Sequence, residues 1–273
     1  MKTKLILVVI ILQMQIISVW SQGNLLIAPT RVLITKVNQT EQISLLNTGN
    51  DSAIYSINFV NKKMNEDGGF ITLAEGDTGA LFSSDYVRVF PRKVALGPKE
   101  GQTIKVQFKK RTDMPDGEYR SHLYFRDEKN YLPRGQSVTL SDSNSIGVKI
   151  IPVFGIAIPI IIRIGKLSAT LSISDISLEK DESGVPQVKM TLNRTGNCSI
   201  YGTITVNYTE AGGKPVEIGI VNGVGVYTDI LKRYFTLQLP KAKDLKLEKG
   251  SITVIFKDPE NNSILDEQVI ELK

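Results

Sequence analysis

The sequence predicts an all-β protein built as two immunoglobulin-like β-sandwiches in tandem. Three observations carry that reading. Short β-branched or alternating runs recur between turn signals along nearly the whole chain. No segment between residues 24 and 165 holds a sustained apolar period of 3.6 residues. A length of 273 residues suits two domains better than one.

The elements follow in order. Residues 1–21 open Met-Lys-Thr-Lys, continue as an apolar run from Leu5 to Leu12, and reach Val19-Trp20-Ser21 before Gln22. A basic start, an apolar middle and small or β-branched residues before a cleavage point define a signal peptide. The apolar stretch is shorter than the about 20 residues of a spanning helix. Strands are then expected at Leu25–Ile27, Val32–Val37, Gln42–Asn47, Ala53–Val60, Val87–Phe90, Lys93–Leu96, Gln102–Lys109, Gly117–Arg126 and Gly147–Arg163. Asn47-Thr48-Gly49-Asn50, Gly97-Pro98 and Asp116-Gly117 separate several of them. This first sandwich is expected over 22–164. A second, over 165–273, has strands at Leu167–Leu178, Gln187–Asn193, Ser199–Tyr208, Lys232–Leu239, Ser251–Phe256 and Ile264–Leu272.

Composition excludes much chemistry. Hydrophobic residues are 41% and charged residues 22%, as in an ordinary globular chain. A net charge of +5, lower once Lys2 and Lys4 leave with the signal, is too weak and scattered for nucleic-acid binding. One Cys and one His rule out a disulfide framework and any multi-histidine metal centre, and no cofactor is expected. Cys198 reads as a small buried apolar residue. Sequons begin at Asn38, Asn50, Asn193, Asn197, Asn207 and Asn261; in a eukaryotic secreted protein they are glycan acceptors, and in a bacterial chain they carry no meaning.

No enzyme pattern emerges. A Ser-His-Asp site would need His122, yet Ser121 beside it points to the opposite face of the same strand, and no Gly-x-Ser-x-Gly elbow exists. Walker and dinucleotide fingerprints are absent. No acidic pair stands out for a glycosidase.

One segment breaks the ordinary pattern. Ile146 to Ile164 reads IGVKIIPVFGIAIPIIIRI, apolar at both parities and far longer than a usual strand. Pro152 and Pro159 within it cannot donate to a ladder, which places such a strand at a sheet edge. Only Lys149 and Arg163 carry charge there, although a long apolar edge is a hazard that proteins normally blunt with charge. The two readings are a strand buried between the domains and an edge that pairs with another chain by β-augmentation.

Three further segments carry a family likeness: Ile27–Gly49, Phe90–Lys109 and Met114-Pro115-Asp116-Gly117-Glu118-Tyr119-Arg120-Ser121-His122-Leu123. With Leu192–Tyr208 (LNRTGNCSIYGTITVNY), they resemble periplasmic chaperones of the chaperone–usher pilus pathway, especially its archaic-like branches. The resemblance implies two immunoglobulin-like domains set as a boomerang, in the periplasm. It implies pilin-like subunits as partners, completed by alternate apolar side chains of the first domain's last strand and passed to an outer-membrane usher. Whether an usher exists here, and whether the free protein caps its edge by pairing with a second copy, stay open.

Carried over by residue, Arg31 matches the cleft arginine that grips the client's C-terminal carboxylate, a task suited to a guanidinium fork. The family's second cation, a lysine, falls at Pro159, which leaves Lys149 and Arg163 as the basic substitutes. Counting back from Arg163 puts Ile150, Pro152, Phe154 and Ile156 on the donor face and Ile151, Val153 and Ala157 opposite. A one-residue slip, for which Gly155 is a candidate bulge, exchanges these sets. The alternative from another class is a secreted or surface structural or adhesive protein of tandem immunoglobulin-like domains.

Overall fold

A computed structural model describes residues 24–36, 39–74, 77, 81–109, 111, 114–128, 154–243, 245 and 247–272. Its strands in the first half are β1 (Leu25–Ala28), β2 (Val32–Ile34), β3 (Thr40–Asn47), β4 (Ala53–Val60), β5 (Lys62–Met64) and β6 (Phe70–Thr72). They continue as β7 (Val87–Phe90), β8 (Lys93–Leu96), β9 (Gly101–Phe108), β10 (Gly117–Asp127) and β11 (Gly155–Ile164). The second half holds β12 (Ala169–Lys180), β13 (Pro186–Gly196), β14 (Ile200–Thr209), β15 (Val216–Val226), β16 (Lys232–Gln238), β17 (Gly250–Lys257) and β18 (Ile264–Leu272). A single 3-10 turn, Pro240–Ala242, interrupts them among the described residues.

The first sandwich packs a sheet ordered β1-β3-β9-β7 against one ordered β2-β11-β10-β4-β8. Alternation makes the core: Ile43 and Leu45 of β3, Ile104 and Val106 of β9, and Val87 and Val89 of β7 meet Tyr55, Ile57, Leu123, Phe125, Ile158, Ile160 and Ile162 from the facing sheet. The second packs β12-β13-β16 on β15-β14-β17-β18, with Ile173, Leu192, Ile204, Val206, Val254 and Phe256 inside. The all-β tandem sandwich predicted from the sequence is therefore the architecture of the chain.

Three strands were absent from the sequence reading. β15 carries Gly219, Gly223 and Gly225, which weaken a strand signal. Its pairing with β14 shifts register twice, and at Gly219 the missing Cβ admits Leu239, which a methyl would meet at 2.4 Å. β5 and β6 are three residues each, too short for alternation to register.

The two sandwiches share apolar contacts. Ile161 of β11 and Met64 of the β5–β6 hairpin are buried in the second core, with Leu33 of β2 packed against it. The hairpin also reaches across through its main chain: Tyr234 N of β16 donates to Glu66 O at 2.7 Å.

Candidate functional site

β11 differs from the expected edge strand in a specific way. Its length runs antiparallel to β10, from Gly117 opposite Ile164 to Arg126 opposite Gly155. On its other side Ile160, Ile161 and Ile162 pair with Val32, Leu33 and Ile34 of β2, in parallel. The strand is thus interior over Ile160–Ile162 and, among the described residues, has no partner on that side over Gly155–Pro159, a correction to the reading of one long edge. The reason lies in the side chains. Ile160 and Ile162 enter the first core and Ile161 the second, so this stretch is buried on both faces. The β10 register runs unbroken from Ile164 up to Gly155, where it ends. A Cβ at Gly155 would meet the Tyr124 ring at 2.3 Å, so the glycine makes room for that ring.

The predicted donor residues divide accordingly. Lys149, Ile150 and Pro152 lie outside the described residues. Phe154 and Ile156 are described and exposed, at 39% and 36%. Both share parity with Ile158 and Ile160, so their face continues directly into the first core. Phe154 is tied to β10 through its carbonyl, which accepts Asp127 N at 3.0 Å. Pro159 stands opposite His122, at the point where β2 pairing stops.

Arg31 and Arg163 line one cleft between the sandwiches, of about 440 Å³. Arg31 immediately precedes β2, and its guanidinium lies over the Tyr201 ring of β14, 4.5 Å from the centroid. Its Nε is buried without a hydrogen-bond partner. Leu33, Leu167, Leu171 and Leu265 supply apolar lining, and Asp258 and Glu260 stand on the second-domain side.

Arg163 is held differently. Its Nε donates to Glu118 Oε2 at 2.9 Å and its Nη2 to Ser199 O at 2.6 Å. Glu118 Oε2 also accepts Ser199 N at 3.0 Å and Ser199 Oγ at 2.7 Å. The Glu118 side chain is fully buried. The arginine therefore bridges the domains first and faces the cleft second.

A second bridge crosses the junction. Arg120 pairs with Asp229 and donates to Lys62 O at 3.1 Å, its guanidinium 4.0 Å from the Tyr227 ring centroid. Asp229 Oδ2 also accepts Met64 N at 2.9 Å. His122, edge-on to Phe70 at 5.3 Å, has its pKa lowered from 6.5 to about 3 by burial first, then by Arg120 and Lys62. Tyr119 turns into the first core, so the predicted alternation of β10 holds. Ser121 is occupied: its Oγ donates to Asn61 Oδ1 at 2.7 Å and accepts Ser84 N at 3.0 Å. A serine so engaged, facing away from the histidine, forms no nucleophile–base pair. Cys198 is buried beside the cleft, and burial pushes its thiol pKa up.

Sequence reasoning missed Glu118, Ser199, Asp229 and Arg194, treated below. A signal was present for the first: Glu118, Arg120 and His122 alternate with Tyr119, Ser121 and Leu123. In a strand flanked by other strands that pattern places charge on one face and apolar bulk on the other. The charged face is buried here because a second domain lies on it.

Comparisons with known proteins fall into two kinds. No protein-family model matches the chain, and no curated protein matches it either. Solved structures do match, at low identity and over nearly all of both chains. The YadV chaperone is 14% identical with a TM-score of 0.43, covering 92% of this chain and 100% of its own. The CsuC–CsuE chaperone–tip adhesion subunit complex from archaic chaperone–usher Csu pili of Acinetobacter baumannii is 14% identical with a TM-score of 0.41, covering 92% and 98%. The Pseudomonas aeruginosa CupB2 chaperone is 14% identical with a TM-score of 0.39, covering 91% and 100%.

Proposed function

We propose that this protein is a periplasmic fimbrial-assembly chaperone, a binding protein and not an enzyme, that lends the free half of β11 to incomplete pilin-like subunits. The observation that carries the reading is the relation between that edge and Arg31. Gly155–Pro159 has no strand on the side away from β10 among the described residues, and β2 takes up that same side from Ile160 onward. β2 is parallel to β11 and begins directly after Arg31. A guest strand laid along the free edge in the same direction therefore ends, at its C-terminus, against Arg31. A guanidinium is suited to the carboxylate that arrives there.

The donor face is Ile150, Pro152, Phe154 and Ile156, and Lys149 supplements the positive charge near the guest. Arg163, with Nε and Nη2 engaged, supports the cleft. The chain is divided as a cleaved signal over 1–21, a chaperone domain over 22–164 and a second sandwich over 165–273, with delivery to an outer-membrane usher. The energetics are compatible with a client that is held and released. Each apolar side chain fully buried contributes about 1.5–3 kcal/mol, against an association cost of about 4–15 kcal/mol.

The test is a pull-down of the mature protein from the periplasm of its host, with bound proteins identified by mass spectrometry, for the wild type, Ile156→Asp and Arg31→Ala. The expected result is a small secreted protein lacking one strand of an immunoglobulin-like fold, lost with Ile156→Asp and weakened with Arg31→Ala. Equal capture by Ile156→Asp overturns strand donation. Recovery of the chain alone at the cell surface favours a structural or adhesive tandem-domain protein.

A further inference from the structure

Two second-domain loops that carry hydrogen bonds to the first domain are joined by one side chain. Arg194, at the end of β13, is 3% exposed. Its Nε donates to Ile230 O at 3.2 Å and its Nη2 to Thr228 O at 3.4 Å. Its Nη1 faces three more carbonyls, Thr195 O at 3.3 Å, Gly196 O at 2.8 Å and Cys198 O at 3.1 Å. These acceptors form two strings, 195–198 and 228–230. The first leads into Ser199, which holds Glu118 and Arg163. The second contains Asp229, which holds Arg120 and Met64 N.

The choice of residue is informative. A buried guanidinium satisfied only by carbonyls carries a desolvation cost that an apolar side chain filling the end of a sandwich does not. What the planar fork adds is simultaneous hold on carbonyls from two separate segments, which an apolar group or a point-like ammonium cannot reproduce.

We propose that Arg194 is the positioning residue of the domain junction. It ties loop 195–199 to loop 228–230, so that the Glu118–Ser199 and Arg120–Asp229 bridges, and with them the width of the cleft lined by Arg31 and Arg163, are set by a single side chain. The consequence for client binding rests on the chaperone reading above; the geometric claim does not.

The test is Arg194→Lys in the full mature chain, which keeps the charge and removes the fork. The readout is residual dipolar couplings measured separately for the two sandwiches. The wild type is expected to fit one alignment tensor. Arg194→Lys is expected to need two, with chemical shifts away from the junction unchanged. Ser199→Ala, which removes side-chain contacts on one bridge and leaves the loops tied, is expected to keep one. A single wild-type tensor in Arg194→Lys, whatever its melting temperature, overturns the proposal, because a residue that merely stabilises the second sandwich gives that result. So does a wild type that already needs two. Should Arg194→Lys not fold, Asp229→Asn decides. Shift changes that reach the amides of 195–199 support the tie, and changes confined to Asp229 and Arg120 overturn it. No client enters these measurements, so a failed capture experiment leaves them untouched.

Discussion

Glu118 and Arg163 are register partners across β10 and β11, and the carboxylate oxygen that takes the Arg163 Nε also takes the amide and hydroxyl of Ser199 in the other sandwich. One oxygen atom thus belongs to a cross-strand ion pair and to an interdomain bond together. Its desolvation is offset by three donors at once, the condition under which a buried charge is tolerated. Oε1 of the same carboxylate has no partner, so the stabilisation converges on Oε2.

Glu118→Gln is expected to lower stability by about 3 kcal/mol, the lower end of the range for breaking a buried pair because Arg163 retains some contact with water. Ser199→Ala is expected to cost about 1 kcal/mol, since the Ser199 main-chain bonds survive. Urea unfolding of both variants checks the order. A Glu118→Gln midpoint equal to that of the wild type contradicts it.

Met64 belongs by sequence to the first sandwich but packs in the second core, 3% exposed. Met64→Ala is expected to cost about 2–4 kcal/mol through the cavity it leaves. Native-state amide exchange locates the effect: protection should fall in β12 and β13 as well as in the hairpin. A loss confined to residues 62–72 would show that the hairpin docks without supporting its host.

His122 makes stability depend on pH. Its pKa is about 3 in the folded chain against an ordinary 6.5, so between those values the unfolded state binds a proton that the folded state refuses. Above 6.5 both states hold a neutral ring and the effect vanishes. As pH falls below 6.5, stability is lost at up to about 1.4 kcal/mol per unit, until the folded ring itself protonates. His122→Leu removes this loss and leaves no orphaned Nδ1. Between pH 7 and 4.5 the wild type is expected to lose about 2–3 kcal/mol more than the variant, measured by urea unfolding. Parallel losses in the two proteins would mean the ring titrates normally in the fold.

Much of the fold was legible because alternation with β-branched residues is a strong signal wherever one strand face is buried. β3, β4, β7, β8 and β18 fall within two residues of their expected limits. β15 was not legible, since its glycines accommodate Leu239 and Tyr201, neighbours that only the folded chain supplies. Arg31 was singled out through its motif, and its place in a cleft follows from β2 lying beside β11. Arg163 was expected as a cleft cation, but pairing with Glu118 depends on which residues the β10–β11 register sets opposite each other. Arg194 and Asp229 gave no signal, because main-chain carbonyls and loop carboxylates acquire their partners only through packing between distant segments.

The close approach of Tyr124 to Gly155 gives a double-mutant test of the free edge. Gly155→Ala is expected to destabilise by about 1 kcal/mol, as the ring must give way. In a Tyr124→Ala background the same change is expected to be neutral or mildly stabilising, because alanine restricts the unfolded chain. Thermal unfolding of the four proteins measures the coupling. Additive effects would mean that the ring does not press on residue 155 in solution.

β11 also has a mechanical consequence. Ile160, Ile161 and Ile162 are bonded to strands on both sides and reach alternately into two cores. Tension applied beyond Phe154, along the axis of the strand, is carried by all of these bonds in shear rather than one after another as in a peeled hairpin. The free end of β11 can therefore be tugged without unzipping the sheet that holds it, and the load is divided between both halves of the molecule.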